Sequence, residues 1–217
     1  MDFATLRQHM VDNQLRPRDI TDHRVIRAFL QVPRELFVGE AERPFAYADR
    51  DLPVAGGTRH LINPANQARL VQALELGPDD VVLNVACGTG YPAAILSQLA
   101  GSVVAVEEDE ALIRAAEQNL SELGIDNVAI VKGALTDGFA AEAPYDAIAI
   151  GAGIEVLPPA LPQQLNDGGR LTTILCNGRT GRAMLYERIG EDVSGRPIFD
   201  AVAPVLPGFA KKPAFVF

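Results

Sequence analysis

The stretch VVLNVACGTGYPAAILSQLAGSVVAVEED, Val81 to Asp109, decides how this chain folds. From Val81 to Val106 it carries no charge, and then Glu107, Glu108 and Asp109 arrive together. The uncharged run is long enough to span a bilayer. Its content argues otherwise: CGTGYP breaks it with two Gly and a Pro, and Asn84, Thr89, Gln98 and Ser102 are spread along it. It reads as strand, tight turn, helix, strand. VVLNVA is β-branched and apolar, as a strand buried on both faces should be. Pro92 suits the first turn of a helix, where its missing N–H costs nothing. AAILSQLA continues that helix, Gly101 stops it, and SVVAV is the second strand.

Outward from this unit the alternation continues. DEALIRAAEQNLSELG is an amphipathic helix with Leu112, Ala115, Ala116, Leu120 and Leu123 on one face, stopped by Gly124. NVAIVKG is a third strand and YDAIAIGAG a fourth, followed by a short helix on PPALPQQL. GGRLTTILCN is a fifth strand, RAMLYERIG a sixth, and the terminal PAFVF is a candidate for a last one. Strands alternating with helices predict an α/β fold, a mostly parallel sheet with helices on both faces. Ahead of it, helices are predicted near residues 2–14 and 22–31, then a Pro/Gly-rich stretch, RPFAYADRDLPVAGGTRHLINP. A further helix starts with Asn63 as N-cap and Pro64 at N1. The expected division is a helical, substrate-side extension over residues 1–76 packed on a core domain over residues 77–217.

Composition bounds the function. The chain has 217 residues, 48% hydrophobic and 22% charged, as soluble globular proteins do. A net charge of −9 argues against non-specific nucleic-acid binding, which needs clustered Lys and Arg. Two cysteines, Cys87 and Cys176, lack the spacing of a zinc site or a disulfide framework. The first residues mix charges throughout and hold no apolar signal-peptide core. A cytoplasmic protein is the expectation, with no membrane and no metal.

In an open parallel sheet, ligands bind beyond the carboxyl ends of the strands. ACGTGYPA sits there, where Gly88 and Gly90 let a ligand approach backbone N–H groups at a helix N-terminus. Glu107 ends the second strand, where an acid accepts hydrogen bonds from ribose hydroxyls. Gly88-x-Gly90-x-x-Ala93 also matches a dinucleotide fingerprint, although a turn serving only close packing would look the same. Glu108, Asp109 and Glu110 read as a solvated acidic first turn favoured by the helix dipole. Cys87 reads as a small buried hydrophobe and Cys176 as core. Arg59 and Arg69 could attract a carboxylate, but read first as solvated surface charge. Arg34 and Glu35 read as an exposed helix-end ion pair.

The chain also resembles the protein-L-isoaspartate O-methyltransferases, which use S-adenosylmethionine. MVDNQLRPRDITDHRVIRAFLQVPRELFV is similar to the family's opening, AYADRDLPV to the block after it, and VVLNVACGTGYPAAILSQLAGSVVAVEED to its cofactor loop. APYDAIAI and PPALPQQLNDGGRL match later blocks in the same order. The resemblance implies the Rossmann-like methyltransferase sheet, with strand order 3-2-1-4-5 and an edge that departs from parallel. It implies methylation of a carboxylate on a damaged protein or peptide.

The same resemblance assigns site positions. Those toward the cofactor are Asn84, Ala86, Gly88, Gly90, Glu107, Ala134 and Leu135. Several depart from the family's pattern. Asn84 stands where the family has Glu, and Ala86 where it has Gly. Gly133-Ala134-Leu135 replaces a GDG whose Asp contacts the adenine amine, with Asp137 too far along to replace it. RHLINP replaces QTISQP, so Ile62 takes the place of a Ser that assists transfer, with His60 and Asn63 as the nearby candidates. IGAG replaces VTAA after the fourth strand. A binding or regulatory module with reduced cofactor affinity is therefore the alternative to the enzyme. A nicotinamide-dependent oxidoreductase is a third reading, resting on the Gly-x-Gly-x-x-Ala match alone.

Overall fold

A seven-stranded sheet of order β5-β4-β3-β6-β7-β8-β9 runs through the computed structural model. The structure describes residues 1–211, so PAFVF lies outside the described residues. Strands β3 (Val81–Val85), β4 (Ser102–Glu107), β5 (Val128–Lys132), β6 (Tyr145–Ile154) and β7 (Leu165–Asn177) are parallel. Counted from β3, they give the expected order 3-2-1-4-5. Strands β8 (Thr180–Ile189) and β9 (Asp192–Asp200) extend the sheet antiparallel. That edge was expected to leave the parallel pattern, but β9 itself was not read from the sequence. DVSGRPIFD shows no apolar alternation, because nearly all of it is exposed.

The helices follow their punctuation. Helix α1 (Phe3–Met10) passes into one π-helical turn at Val11–Leu15, covering the predicted 2–14 segment, and α2 is His23–Gln31. Two short strands, β1 (Leu52–Val54) and β2 (Arg59–Leu61), pair antiparallel across the Pro/Gly-rich stretch. Helix α3 (Pro64–Ala73) has Asn63 as its N-cap, Oδ1 accepting from the N–H of Ala65 and Asn66 at 2.9 and 3.1 Å. Helix α4 (Tyr91–Ser97) has Pro92 in its first turn, and α5 is Glu110–Glu122.

Buried residues of all five α-helices join Val82, Val103, Ala105, Ala147 and Ala149 in one hydrophobic cluster. That cluster contains Met10, Phe29 and Leu52 as well as residues of the central strands, so the first 76 residues share one apolar interior with the sheet. The other face, with Leu83, Val85, Val104, Val106, Ile148 and Ile150, is covered by Leu135, Leu161, Leu206 and Phe209 from turns and loops. The helix expected on PPALPQQL is a single 3-10 turn, Pro162–Gln164. Pro158, Pro159 and Pro162 lack the N–H that a helix ladder needs and restrict the residue before them.

Candidate cofactor site

At the carboxyl ends of β3 and β4 the chain makes a tight, internally bonded turn. The N–H groups of Ala86 and Cys87 donate to the Val106 carbonyl at 3.0 and 3.4 Å, and that of Gly90 to the Cys87 carbonyl at 2.9 Å. The sequence suggested amides open to a ligand; these three are bonded within the loop. Ala86 has φ +59, a left-handed conformation that costs an L-residue roughly 1–2 kcal/mol. A Gly there would carry no such penalty, a physical reason for the Gly that the resemblance implies at this position. Gly88 (φ +58) is open: an added Cβ would meet only Val54, at 4.0 Å. Gly90 (φ +96) is different, since an added Cβ would lie 3.2 Å from the Ala116 methyl on α5. Close packing of α4 against α5 is what Gly90 serves.

Glu107 ends β4 fully buried. Its Oε2 accepts from the N–H of Gly88 at 3.1 Å, and its Oε1 from those of Glu108 and Asp109 at 2.9 and 3.2 Å. Arg59 of β2 completes the shell, Nη2 donating to Oε1 at 2.9 Å and Nε to Oε2 at 3.4 Å. The same Nη2 donates to Glu108 Oε1 at 2.9 Å. Arg59 is only 5% exposed, which corrects its reading as solvated surface charge. Burial works against the Arg59 charge, but the bonds and charges of Glu107 and Glu108 outweigh it and hold its pKa above the ordinary guanidinium value. Glu108 thus does more than sit in a solvated turn, whereas Asp109 caps α5 and Glu110 pairs with Lys132. Cys87 is buried beside this pair; burial, then the Glu107 charge, push its thiol pKa up and disfavour the nucleophilic thiolate.

The structure brings some of the other expected residues here and not others. Gly133 donates its N–H to the Glu107 carbonyl at 3.1 Å, so the 133–135 loop flanks the acid. Ala134 is exposed there, while the Leu135 side chain is in the core and leaves only its backbone for a ligand. Asp137 is exposed. Asn84 is fully buried on the α3–α4 side of β3, its Nδ2 donating to the Ala149 carbonyl at 3.2 Å. It lines a small cavity with Gln67, Pro92 and Thr172.

Ile62 packs with Leu70, Ile174, Cys176 and Ala183 in a separate apolar cluster. Asn63 caps α3 and donates Nδ2 to Asp49, while its N–H donates to Asp51 at 2.7 Å. His60 lies opposite Pro53 in the β1–β2 pair, half-buried. Burial raises the Asp51 pKa, against the Asn63 N–H and the nearby His60 and Arg34. Asp51 was not read from the sequence; its one signal was its place in AYADRDLPV.

Arg34 corrects a further reading. It is fully buried and, among the described residues, pairs with no acid; its guanidinium donates to the carbonyls of Ala46 (2.9 Å), Leu61 (3.3 Å) and Ile62 (2.8 Å) and lies 4.8 Å from the Tyr91 ring centre. Glu35 instead pairs with Arg7 at 3.0 Å and accepts from the Tyr47 hydroxyl. Arg34 thereby ties the end of β2, the strand that carries Arg59, to Ala46 and to Tyr91, the first residue of α4.

Residues 5–200 match the family model described as protein-L-isoaspartate(D-aspartate) O-methyltransferase. This chain belongs to that family. A relative named protein-L-isoaspartate O-methyltransferase from Roseiflexus sp. (strain RS-1) is 40% identical over 97% of this chain and 96% of its own. Another of that name, from Koribacter versatilis, is 41% identical over 78% of this chain and 76% of its own. A solved structure named protein-L-isoaspartate O-methyltransferase matches with TM-score 0.82 at 26% identity, covering 93% of this chain and 66% of that one. A second, a putative family member from Plasmodium falciparum in complex with S-adenosyl-L-homocysteine, matches with TM-score 0.75 at 21% identity, covering 95% of this chain and 98% of that one, and shares the fold. Family membership sets the nicotinamide reading aside.

Proposed function

We propose that this chain transfers a methyl group from S-adenosylmethionine to a carboxylate of an isoaspartyl residue in a damaged protein or peptide. The observation that carries it is Glu107, a fully buried carboxylate at the end of β4 beside an open Gly88, in a chain of this family. Such a donor set fits an adenosyl group: the acid accepts from vicinal sugar hydroxyls, and the turn approaches without a side chain. Glu107 and Gly88 would hold the sugar side; Ala134 offers no carboxylate to an adenine amine. The cofactor, when bound, supplies a methyl on a positively charged sulfur.

The acceptor needs no activation, because an α-carboxyl with a pKa of roughly 3.5 is ionised at neutral pH. What remains for the chain's own residues is alignment, which can supply roughly 7–11 kcal/mol of barrier reduction. Ile62 therefore removes one orienting bond, worth about 0.5–1.5 kcal/mol, and not a base. His60 stays as the polar candidate on the substrate side, because the Asn63 side chain is taken up by the α3 cap and Asp49.

Two unpaired, buried cysteines support a reducing, cytoplasmic setting, and the net charge of −9 speaks against a nucleic-acid partner. Among the described residues no helix is long and apolar enough to cross a membrane. The test is transfer of labelled methyl to an isoaspartyl peptide and to its aspartyl counterpart. Label on the first alone, released by mild base as an ester should be, is the expected result. Label on neither overturns the reading.

A further inference from the structure

Glu107 has two oxygens and, when ionised, about four lone-pair directions. Among the described residues it accepts from five donors, and three of them are the backbone N–H groups of Gly88, Glu108 and Asp109. The other two belong to a single side chain, the Arg59 guanidinium, which reaches both oxygens. A guanidinium edge and a vicinal diol present the same thing to a carboxylate, two donors side by side. A ribose seated on Glu107 must therefore take the positions that Arg59 holds.

We propose that Arg59 sets the affinity of this site for adenosyl ligands, by standing in for the ribose on Glu107 until a ligand displaces it. The inference rests on the methyltransferase reading above. The displaced guanidinium has a second acid at hand: Nη2 already reaches Glu108 at 2.9 Å, and that side chain is 46% exposed, on the solvent side of the buried one. Arg59 can leave Glu107 without losing an anionic partner. Apparent affinity is reduced by the fraction of molecules in which the acid is free. The device selects for a ligand with two adjacent hydroxyls, because a ligand without them cannot replace both bonds.

The test is calorimetric titration of the full chain and of Arg59→Gln with S-adenosylhomocysteine, adenosine and 2′,3′-dideoxyadenosine, with thermal melts alongside. Arg59→Gln should bind S-adenosylhomocysteine and adenosine at least tenfold more tightly than the parent, with no gain for the dideoxy ligand. Arg59→Lys, whose single ammonium cannot fork across both oxygens, should fall between. It carries the test if the Gln variant gives no cooperative melt. Unchanged or weaker binding by the variants, or an equal gain for the dideoxy ligand, overturns the Arg59 assignment while leaving the methyltransferase reading standing. If S-adenosylhomocysteine neither binds nor shifts the melting of parent or variants, the methyltransferase reading falls and the assignment falls with it.

Discussion

Ala86 is where the inherited backbone and the present side chain disagree. The turn after β3 requires a positive φ, and Ala86 supplies it at +59 with a Cβ attached. Ala86→Gly removes that penalty but adds unfolded-state freedom. The net gain should be about 1 kcal/mol, read as a rise of roughly 2–4 °C in melting temperature. No change would show that the surrounding bonds to Val106 make the conformation cheap. At this scale the sequence was partly legible. Gly88 and Glu107 stood out because their residue types match the chemistry of a nucleotide turn. Arg59 and Arg34 did not, because nothing local in a chain distinguishes a buried guanidinium from a solvated one. Their partners lie 48 residues away at Glu107 and 28 away at Ile62.

Elements were legible where their ends are punctuated. Asn63-Pro64 starts α3 and Gly124, at φ +65, closes α5, as their residue types dictate. The cap can be tested directly. Asn63→Ala leaves two N–H groups at the start of α3 without an acceptor and should cost about 1 kcal/mol, with Asn63→Ser recovering most of it in denaturant titrations. If Ala costs nothing, the Asn63 side chain is free for the substrate-side role its position suggests. The segments that escaped reading share a cause. The 3-10 turn at Pro162–Gln164 and strand β9 are specified by neighbours, not by their own periodicity: one sits between Leu161 and Leu165, which pack on the sheet face, and the other borrows its register from β8.

On the scale of the whole molecule, the chain's four tyrosines behave alike. Burial raises the phenol pKa of Tyr47, Tyr91, Tyr145 and Tyr186, that of Tyr145 to about 12. In the unfolded chain a tyrosine ionises near 10. The folded state therefore keeps protons that the unfolded state loses, and stability is full below pH 10 and falls as pH rises from about 10 through 12. Phenolate absorbance should lag behind that of the denatured protein and then rise together with loss of helical signal. A normal titration near pH 10 in the intact fold would contradict the burial of these rings.

Among the described residues β9 is the edge of the sheet, and the composition that hides it suits that place. An outermost strand offers a row of unpaired backbone groups on which another chain can lay itself down, and aggregation begins that way. Pro197 cannot donate to a further ladder, the register shift between Ala183 and Met184 bends the ribbon beside it, and Asp192, Arg196 and Asp200 scatter charge along the rim. Replacing such a segment by a smooth Val- and Ile-rich strand would make the fold easier to recognise and harder to keep in solution.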